Sequence, residues 1–155
     1  MVKLWRVEPA CPAHIEHIAV RMREADRREV WASHRYSPAQ ALKCSLERSD
    51  LAWTCFVDGV PSFMWGAARA GSIIGLKGSP WLLGTDAIRG VQKDFLRFCP
   101  VCVERMNRRF PRLENFIHPE NRLSILWLKW CGFQFDEEVP ELINDEEFYL
   151  FWRDV

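Results

Sequence analysis

Residues 121–133 have the sequence N-R-L-S-I-L-W-L-K-W-C-G-F and decide the fold. Asn121 is a residue type that caps helix N-termini, and Gly132 is the residue type that most often stops a helix. The stretch Asn121–Cys131 is therefore expected to form a helix. Phe133 follows the glycine directly, in a position to enter the core. These thirteen residues predict a capped helix that leads into a strand.

Outward from this helix, strand-like and helix-like segments alternate along the chain. Strands are expected at Lys3–Glu8, Ala52–Val57, Pro61–Ala68, Pro80–Thr85, Leu113–His118, Phe133–Glu137 and Phe148–Arg153, and helices from Ala13, after Ser37-Pro38 and over Val91–Phe110. Asp58-Gly59 joins two strands as a hairpin turn. Pro100 predicts a kink or break of the long helix near Phe98–Pro100. This order predicts one α/β domain over residues 1–155, with a mixed twisted sheet of about six to seven strands and helices on both faces.

Composition excludes some classes of protein. The 21 basic and 21 acidic residues are interspersed, which argues against a broad nucleic-acid surface. No signal peptide and no run of about eighteen apolar residues is present, so we expect a soluble, cytoplasmic protein without a membrane segment. The charged run Arg21–Glu29 predicts a solvated helix side or an exposed turn. Eight Trp predict that some rings line a groove or a contact surface, although core packing is the commoner role for any single Trp. Trp127 and Trp152 are candidates for a contact in a homo-oligomer.

The six cysteines are expected to be free thiols, because no secretory signal accompanies them. Cys99 and Cys102 form a C-P-V-C sequence, but no second Cys/His pair stands at zinc-ligand spacing, so no metal is expected. A redox pair would sit at a helix N-terminus, whereas this pair lies inside a helical stretch. The two residues are therefore interpreted as structural thiols.

The element order, together with Asn121, Ser124 and Gly132-Phe133, resembles the GNAT (N-acetyltransferase) family. This resemblance implies the GNAT-like, acyl-CoA N-acyltransferase fold. A narrower similarity involves W-L-L-G-T-D at 81–86 and N-x-x-S-x-x-W-L-K-W-x-G-F at 121–133. These stretches resemble a small phage-encoded family that includes the small internal virion protein of short-tailed coliphages. That similarity implies virion or host proteins as partners, and the host cytoplasm or the virion as the location.

The GNAT resemblance also implies a site for acetyl-CoA. Family members hold the pyrophosphate on an Arg/Gln-x-x-Gly-x-Gly/Ala loop at a helix N-terminus. Here the corresponding residues 85–94 are T-D-A-I-R-G-V-Q-K-D. The resemblance assigns cofactor contacts to six residues: Arg89, Gly90, Val91, Gln92, Asn121 and Ser124. Asp86 adds negative charge beside the expected anion, so we expect a weakened site.

The catalytic groups are less complete. Many GNAT members use a Tyr seven residues after the motif Asn as the acid for the departing thiolate, and that position here is Leu128, which has no proton to donate. Glu114 and His118 are the candidate general bases by residue type and position. Two interpretations stay open. One is a non-catalytic or weakly active virion or host-interaction protein with a degenerate acetyl-CoA site. The other is an active acetyl-CoA-dependent N-acetyltransferase with a divergent pyrophosphate loop.

Overall fold

The computed structural model describes residues 3–71 and 76–155. Within these residues, seven strands form one sheet: β1 Trp5–Pro9, β2 Ser49–Val57, β3 Val60–Ala70, β4 Lys77–Gly84, β5 Arg112–Ile117, β6 Gln134–Ile143 and β7 Glu146–Asp154. Five α-helices accompany them: α1 Ile15–Val20, α2 Glu24–His34, α3 Pro38–Arg48, α4 Gln92–Arg109 and α5 Arg122–Trp130. Short 3-10 helices, Pro12–His14 and Asp86–Val91, precede α1 and α4.

The sheet has the strand order β1-β2-β3-β4-β5-β7-β6. Neighbouring strands are antiparallel except for β4 and β5, which are parallel. Ile18 of α1 and Leu42 of α3 pack against Met64 on one face. Phe95 of α4 packs against Phe63 on the opposite face, in the core cluster that also contains Trp127 of α5. The expected mixed sheet with helices on both faces is confirmed.

Local sequence signals set two of the element boundaries as predicted. The β2–β3 turn has positive φ angles at Asp58 and Gly59, the backbone that Asp-Gly favours in hairpins. At the start of α3, Ser37 Oγ accepts from Gln40 N at 3.2 Å, and Gln40 Oε1 accepts from Ser37 N at 2.9 Å. This reciprocal capping box satisfies two backbone donors at the helix start.

The end of α5 is also as the sequence predicts. Gly132 has a φ of 86°, and its N–H donates to Lys129 O at 3.1 Å. The N–H of Phe133 donates to Leu128 O at 3.0 Å, which completes a Schellman motif. The ring of Phe133 is buried, with its centroid 5.4 Å from that of Phe151. Gly132 therefore stops the helix and Phe133 enters the core.

A kink or break is predicted near Phe98–Pro100, and the break does not occur: α4 runs without interruption from Gln92 to Arg109. Proline lacks the N–H that would donate to the carbonyl of Leu96 four residues earlier. That carbonyl oxygen instead accepts from Trp130 Nε1 at 2.9 Å. The freed acceptor is thus satisfied by α5.

The prediction for the charged run Arg21–Glu29 holds only in part, because Arg21, Glu24 and Arg28 are exposed whereas Arg23 and Asp26 are buried. The chain forms three helices before β2 rather than two, and α2 begins at Glu24. Arg23 and Asp26 are 5% and 1% exposed, respectively. Their side chains form a bidentate pair, with Arg23 Nη2 2.9 Å from Asp26 Oδ1 and Arg23 Nε 3.2 Å from Asp26 Oδ2. Pairing and hydrogen bonding let these charges leave water.

Candidate functional site

The parallel strands β4 and β5 pair only at their beginnings, Lys77 with Arg112 and Gly78 with Leu113. Beyond this point, side chains replace the backbone ladder. Ser79 Oγ donates to Glu114 O at 3.2 Å, and Asn115 Nδ2 donates to Pro80 O at 2.8 Å. The strand ends therefore form a wedge, and a cavity of about 450 Å³ lies within it.

Aromatic side chains form much of the cavity wall. Tyr36 and Trp81 contribute from the α1–α3 side of the sheet, and Trp65, Phe95 and Trp127 from the α4–α5 side. Three of the eight Trp thus line a groove, as their abundance predicts. Trp127 is only 6% exposed, so the prediction that it is an exposed contact residue is wrong.

The end of β4 is held by the N-terminal part of α2. The N–H of Gly84 donates to Asp26 Oδ2 at 3.0 Å, and the carbonyl of Gly84 accepts from Arg23 N at 2.8 Å. Both backbone groups of the last β4 residue are therefore satisfied, one by Asp26 of α2 and the other by Arg23, directly before the helix.

The end of β5 is held by the same helix through Glu29. Its Oε1 accepts from the backbone N–H of His118 at 2.7 Å, and its Oε2 accepts from Asn121 Nδ2 at 3.1 Å. Asp26 and Glu29 are three residues apart and so lie on one side of the helix. We call Arg23, Asp26 and Glu29 the α2 clamp, because this face holds both arms of the wedge.

Burial has a clear electrostatic effect on the α2 clamp. It raises the pKa of Glu29 to about 7, and the hydrogen bond from His118 N–H only partly opposes this rise. Glu29 also lines the cavity. Sequence reasoning missed the residue, because nothing in the charged run separates it from the exposed acids beside it.

The two α5 residues assigned to the cofactor are engaged by the α2 clamp. Asn121 occupies the N-cap position, but its side chain makes no capping bond and donates to Glu29 instead. Ser124 Oγ accepts from Arg23 Nη2 at 3.4 Å. The resemblance assigns both polar groups to cofactor binding. In this structure their hydrogen-bond partners are Glu29 of α2 and Arg23, directly before it.

The loop that the resemblance assigns to the pyrophosphate forms the 3-10 helix Asp86–Val91. Arg89 is largely exposed, and its Nε lies 3.9 Å from Asp86 Oδ1. Val91 is buried in the core, and Gly90 stands beside the aliphatic stem of Lys3. Asp94 lies in the first turn of α4, directly after Gln92 and Lys93. An anion at this N-terminus would meet the carboxylates of Asp86 and Asp94, which oppose the attraction of the helix dipole, together with the cations of Arg89 and Lys93.

A set of contacts closes the space between α4 and α5. The ring centroids of Phe95 and Trp127 are 5.4 Å apart, and Trp130 donates to Leu96 O. We call these residues, together with Cys99 and Cys131, the α4–α5 seam. The α5 residues of the seam lie on the same helix as Ser124, where the resemblance implies that the cofactor passes.

The two candidate bases lie apart from the cavity wall. Glu114 is paired with Arg112 and Lys77, and the hydrogen bond from Arg112 holds its pKa below the ordinary range. His118 Nδ1 accepts from Glu120 N at 3.2 Å, and the ring packs edge-on against Phe148. The catalytic assignments of Glu114 and His118 stay predictions.

Several polar groups near the expected cofactor position are already hydrogen-bonded. The backbone groups of Gly84, the N–H of His118, the amide of Asn121 and the hydroxyl of Ser124 have partners in Arg23, Asp26 or Glu29. The described residues contain no group of three His, Cys, Asp or Glu positioned to hold a metal ion. In the same part of the chain, no helix is long and apolar enough to cross a membrane.

Comparison with known proteins gives structural matches only. No family model and no curated protein matches the chain. A ribosomal-protein-alanine N-acetyltransferase from Brucella melitensis is similar in structure, with a TM-score of 0.71 at 11% identity over 97% of this chain and 99% of that one. A GCN5-related N-acetyltransferase from Kribbella flavida has a TM-score of 0.69 at 16% identity, over 97% and 98% of the two chains. A Bacillus subtilis acetyltransferase in complex with CoA has a TM-score of 0.60 at 9% identity, over 98% and 99%. The chain therefore has the fold of the GNAT-family N-acetyltransferases.

Proposed function

We propose that this protein is a phage-type, GNAT-fold protein that acts by binding virion or host proteins and does not transfer acetyl groups. The observation that carries the non-catalytic part is the α2 clamp, which binds the ends of both β4 and β5. Asp26 accepts from Gly84 N at 3.0 Å and Glu29 accepts from His118 N at 2.7 Å.

Opening the wedge would be expensive. Separating α2 from β4 breaks the hydrogen bond from Gly84 N–H to the buried Asp26 carboxylate. Losing a hydrogen bond to a charged group costs about 1.5–3 kcal/mol, which corresponds to a loss of about ten- to a hundredfold in affinity for a ligand that needs the opening. Binding of the pyrophosphate would do little to offset this cost, because the carboxylates of Asp86 and Asp94 lie at the helix start where the anion would bind.

Calorimetric titration with acetyl-CoA and with CoA tests the non-catalytic part. We expect no heat of binding up to millimolar ligand, with the Bacillus subtilis acetyltransferase as a positive control. Saturable binding at micromolar ligand that is lost in Arg89→Glu would contradict the proposal. That result would favour an active N-acetyltransferase with a divergent pyrophosphate loop.

The binding role rests on the two phage-like stretches, 81–86 and 121–133, and on exposed aromatic surface. Trp31 of α2 and Trp130 of α5 are 57% and 63% exposed, respectively. Trp is enriched at protein interfaces, where it contributes a large apolar area and one hydrogen-bond donor. These two residues, rather than Trp127, are the contact candidates.

Quantitative mass spectrometry of purified particles tests the virion role. Particles grown from a phage that encodes this chain should contain it in a fixed number of copies per particle, relative to the capsid protein. A chain that stays in the host lysate and is absent from washed particles would exclude the virion role. Light scattering of the pure protein would separately show whether it forms a homo-oligomer.

A further inference from the structure

Two cysteines far apart in sequence meet in the α4–α5 seam. Cys99 lies in α4, and Cys131 caps the C-terminus of α5. Cys99 belongs to the core cluster that contains Phe95 and Trp127, and Cys131 packs against the same cluster. All six cysteines are free thiols in the structure.

The packing of the two helices explains this meeting. Phe95 contacts Trp127 at a centroid distance of 5.4 Å, and Cys99 and Cys131 each follow these residues by four positions. Four residues are about one helical turn. The thiol pair therefore continues the same line of contact between α4 and α5. The bond from Trp130 Nε1 to Leu96 O fixes the helices in this register.

The two thiols differ in environment. Cys99 is 8% exposed, whereas Cys131 is half-buried, and both line the wedge cavity. Arg153 Nε lies 3.4 Å from the position that a Cβ would take on Gly132, next to Cys131. The neighbouring Cys99 thiol and the charge of Arg153 lower the pKa of Cys131, while the Cys131 thiol and burial raise the pKa of Cys99. A cationic neighbour and partial exposure are the conditions for a reactive thiolate.

We propose that Cys131 and Cys99 form a peroxide-sensitive site, in which Cys131 is oxidised first and Cys99 resolves it. The Cys131 thiolate attacks one peroxide oxygen, an S–O bond forms, the O–O bond breaks, and hydroxide leaves to become water. Cys99 then attacks the sulfenic sulfur, an S–S bond forms, and a second water leaves. Two thiols and one hydrogen peroxide give one disulfide and two waters.

The disulfide would join α4 to α5 covalently at the seam. It would lock the helices in the arrangement that Phe95 and Trp127 already favour, whereas the reduced protein holds them by packing and by the hydrogen bond from Trp130 to Leu96 O. The proposed oxidation requires neither acetyl transfer nor the proposed binding role.

Peptide mapping of the full-length protein tests the proposal. The reduced protein is treated with one equivalent of hydrogen peroxide, its remaining thiols are alkylated, and it is digested with trypsin. We expect peptide 98–105 to be joined to peptide 130–153, with the loss of two of the six thiols. Because peptide 98–105 also contains Cys102, fragmentation at the bond before Pro100 identifies which cysteine is linked.

Variants sharpen the test. Cys131→Ser should abolish the linked peptide, whereas Cys44→Ser, which removes another half-buried thiol, should leave it unchanged. In the wild type, Cys131 should be oxidised at least about tenfold faster than Cys44. A link between Cys99 and Cys102, sulfinic acid at Cys131 without loss of Cys99, or equal oxidation rates at Cys131 and Cys44 would overturn the proposal. The wild-type map decides the matter even if a variant fails to fold.

Discussion

The indole N–H of Trp130 donates to the carbonyl oxygen of Leu96 at 2.9 Å, and this is the acceptor that Pro100 leaves without a helical donor. This hydrogen bond has two effects. It satisfies a backbone group inside α4 and it fixes α5 against α4. An unbroken helix with an internal proline is thereby accounted for by a residue thirty positions later in the chain.

A double-mutant cycle tests this relationship. Trp130→Phe keeps an aromatic ring but removes the donor, and it should lower the free energy of unfolding by about 1 kcal/mol. In a Pro100→Ala background the helix supplies its own donor to Leu96, so the same change should cost about half as much or less. Urea unfolding of the four proteins of the cycle gives the coupling free energy between Trp130 and Pro100. Equal costs in the two backgrounds would show that the indole does not replace the missing donor.

Protonation of Glu29 should make stability depend on pH. Burial raises its pKa from 4.5 to about 7, so between these values the folded state binds more protons than the unfolded state. The free energy of unfolding should therefore fall as pH rises from 4.5 to 7, and the contribution of Glu29 should be fully lost above 7. The shift limits the effect to about 3 kcal/mol.

Glu29→Gln should flatten this dependence and make the protein more stable than the wild type at pH 8. The side-chain oxygen of the new glutamine can still accept from His118 N–H. Its side-chain nitrogen can donate to the oxygen of Asn121 once the Asn121 amide has flipped. Urea unfolding at pH 5 and pH 8 measures the difference, with the exposed Glu104→Gln as control. An unchanged slope in Glu29→Gln would show that the carboxyl titrates normally.

The buried pair of the α2 clamp should be far more sensitive to mutation than an exposed pair of the same type. Asp26→Asn leaves Arg23 buried without a counter-charge and should cost about 3–5 kcal/mol. Asp154→Asn breaks the exposed pair with Arg112 and should cost about 1 kcal/mol or less. Thermal or urea unfolding compares the two. A double variant, Arg23→Met with Asp26→Leu, should recover much of the loss, and similar costs for the two single changes would argue against a buried pair.

Two glycines of the candidate site should respond differently to alanine. A Cβ on Gly78 would lie 2.4 Å from Phe110 Cδ2, and Phe110 is fully buried, so Gly78→Ala should cost about 1–3 kcal/mol or more. A Cβ on Gly90 would lie 3.5 Å from Lys3 Cγ, an ordinary contact, and Gly90→Ala should change stability by less than about 0.5 kcal/mol. A large cost at Gly90 would indicate a backbone role that the structure does not give it.

Much of the fold follows from local signals. The Asp58-Gly59 hairpin, the Ser37 capping box and the stop at Gly132 each depend on residues within one turn, so the sequence pattern is sufficient to predict them. Binary pattern and element order then lead to a mixed sheet with helices on both faces.

The candidate site does not follow in the same way. Asp26 and Glu29 belong to a charged run that looks solvated, and their burial depends on Gly84 and His118, some 58 and 89 residues away. Asn121 is a residue type that commonly caps helices, yet its side-chain amide donates to Glu29 of α2 instead. The sequence by itself determined the order of the elements and the turns between them, since these are short-range preferences. Only the tertiary structure decided which polar groups meet across the wedge, because a buried charge is placed by whichever distant backbone group can satisfy it.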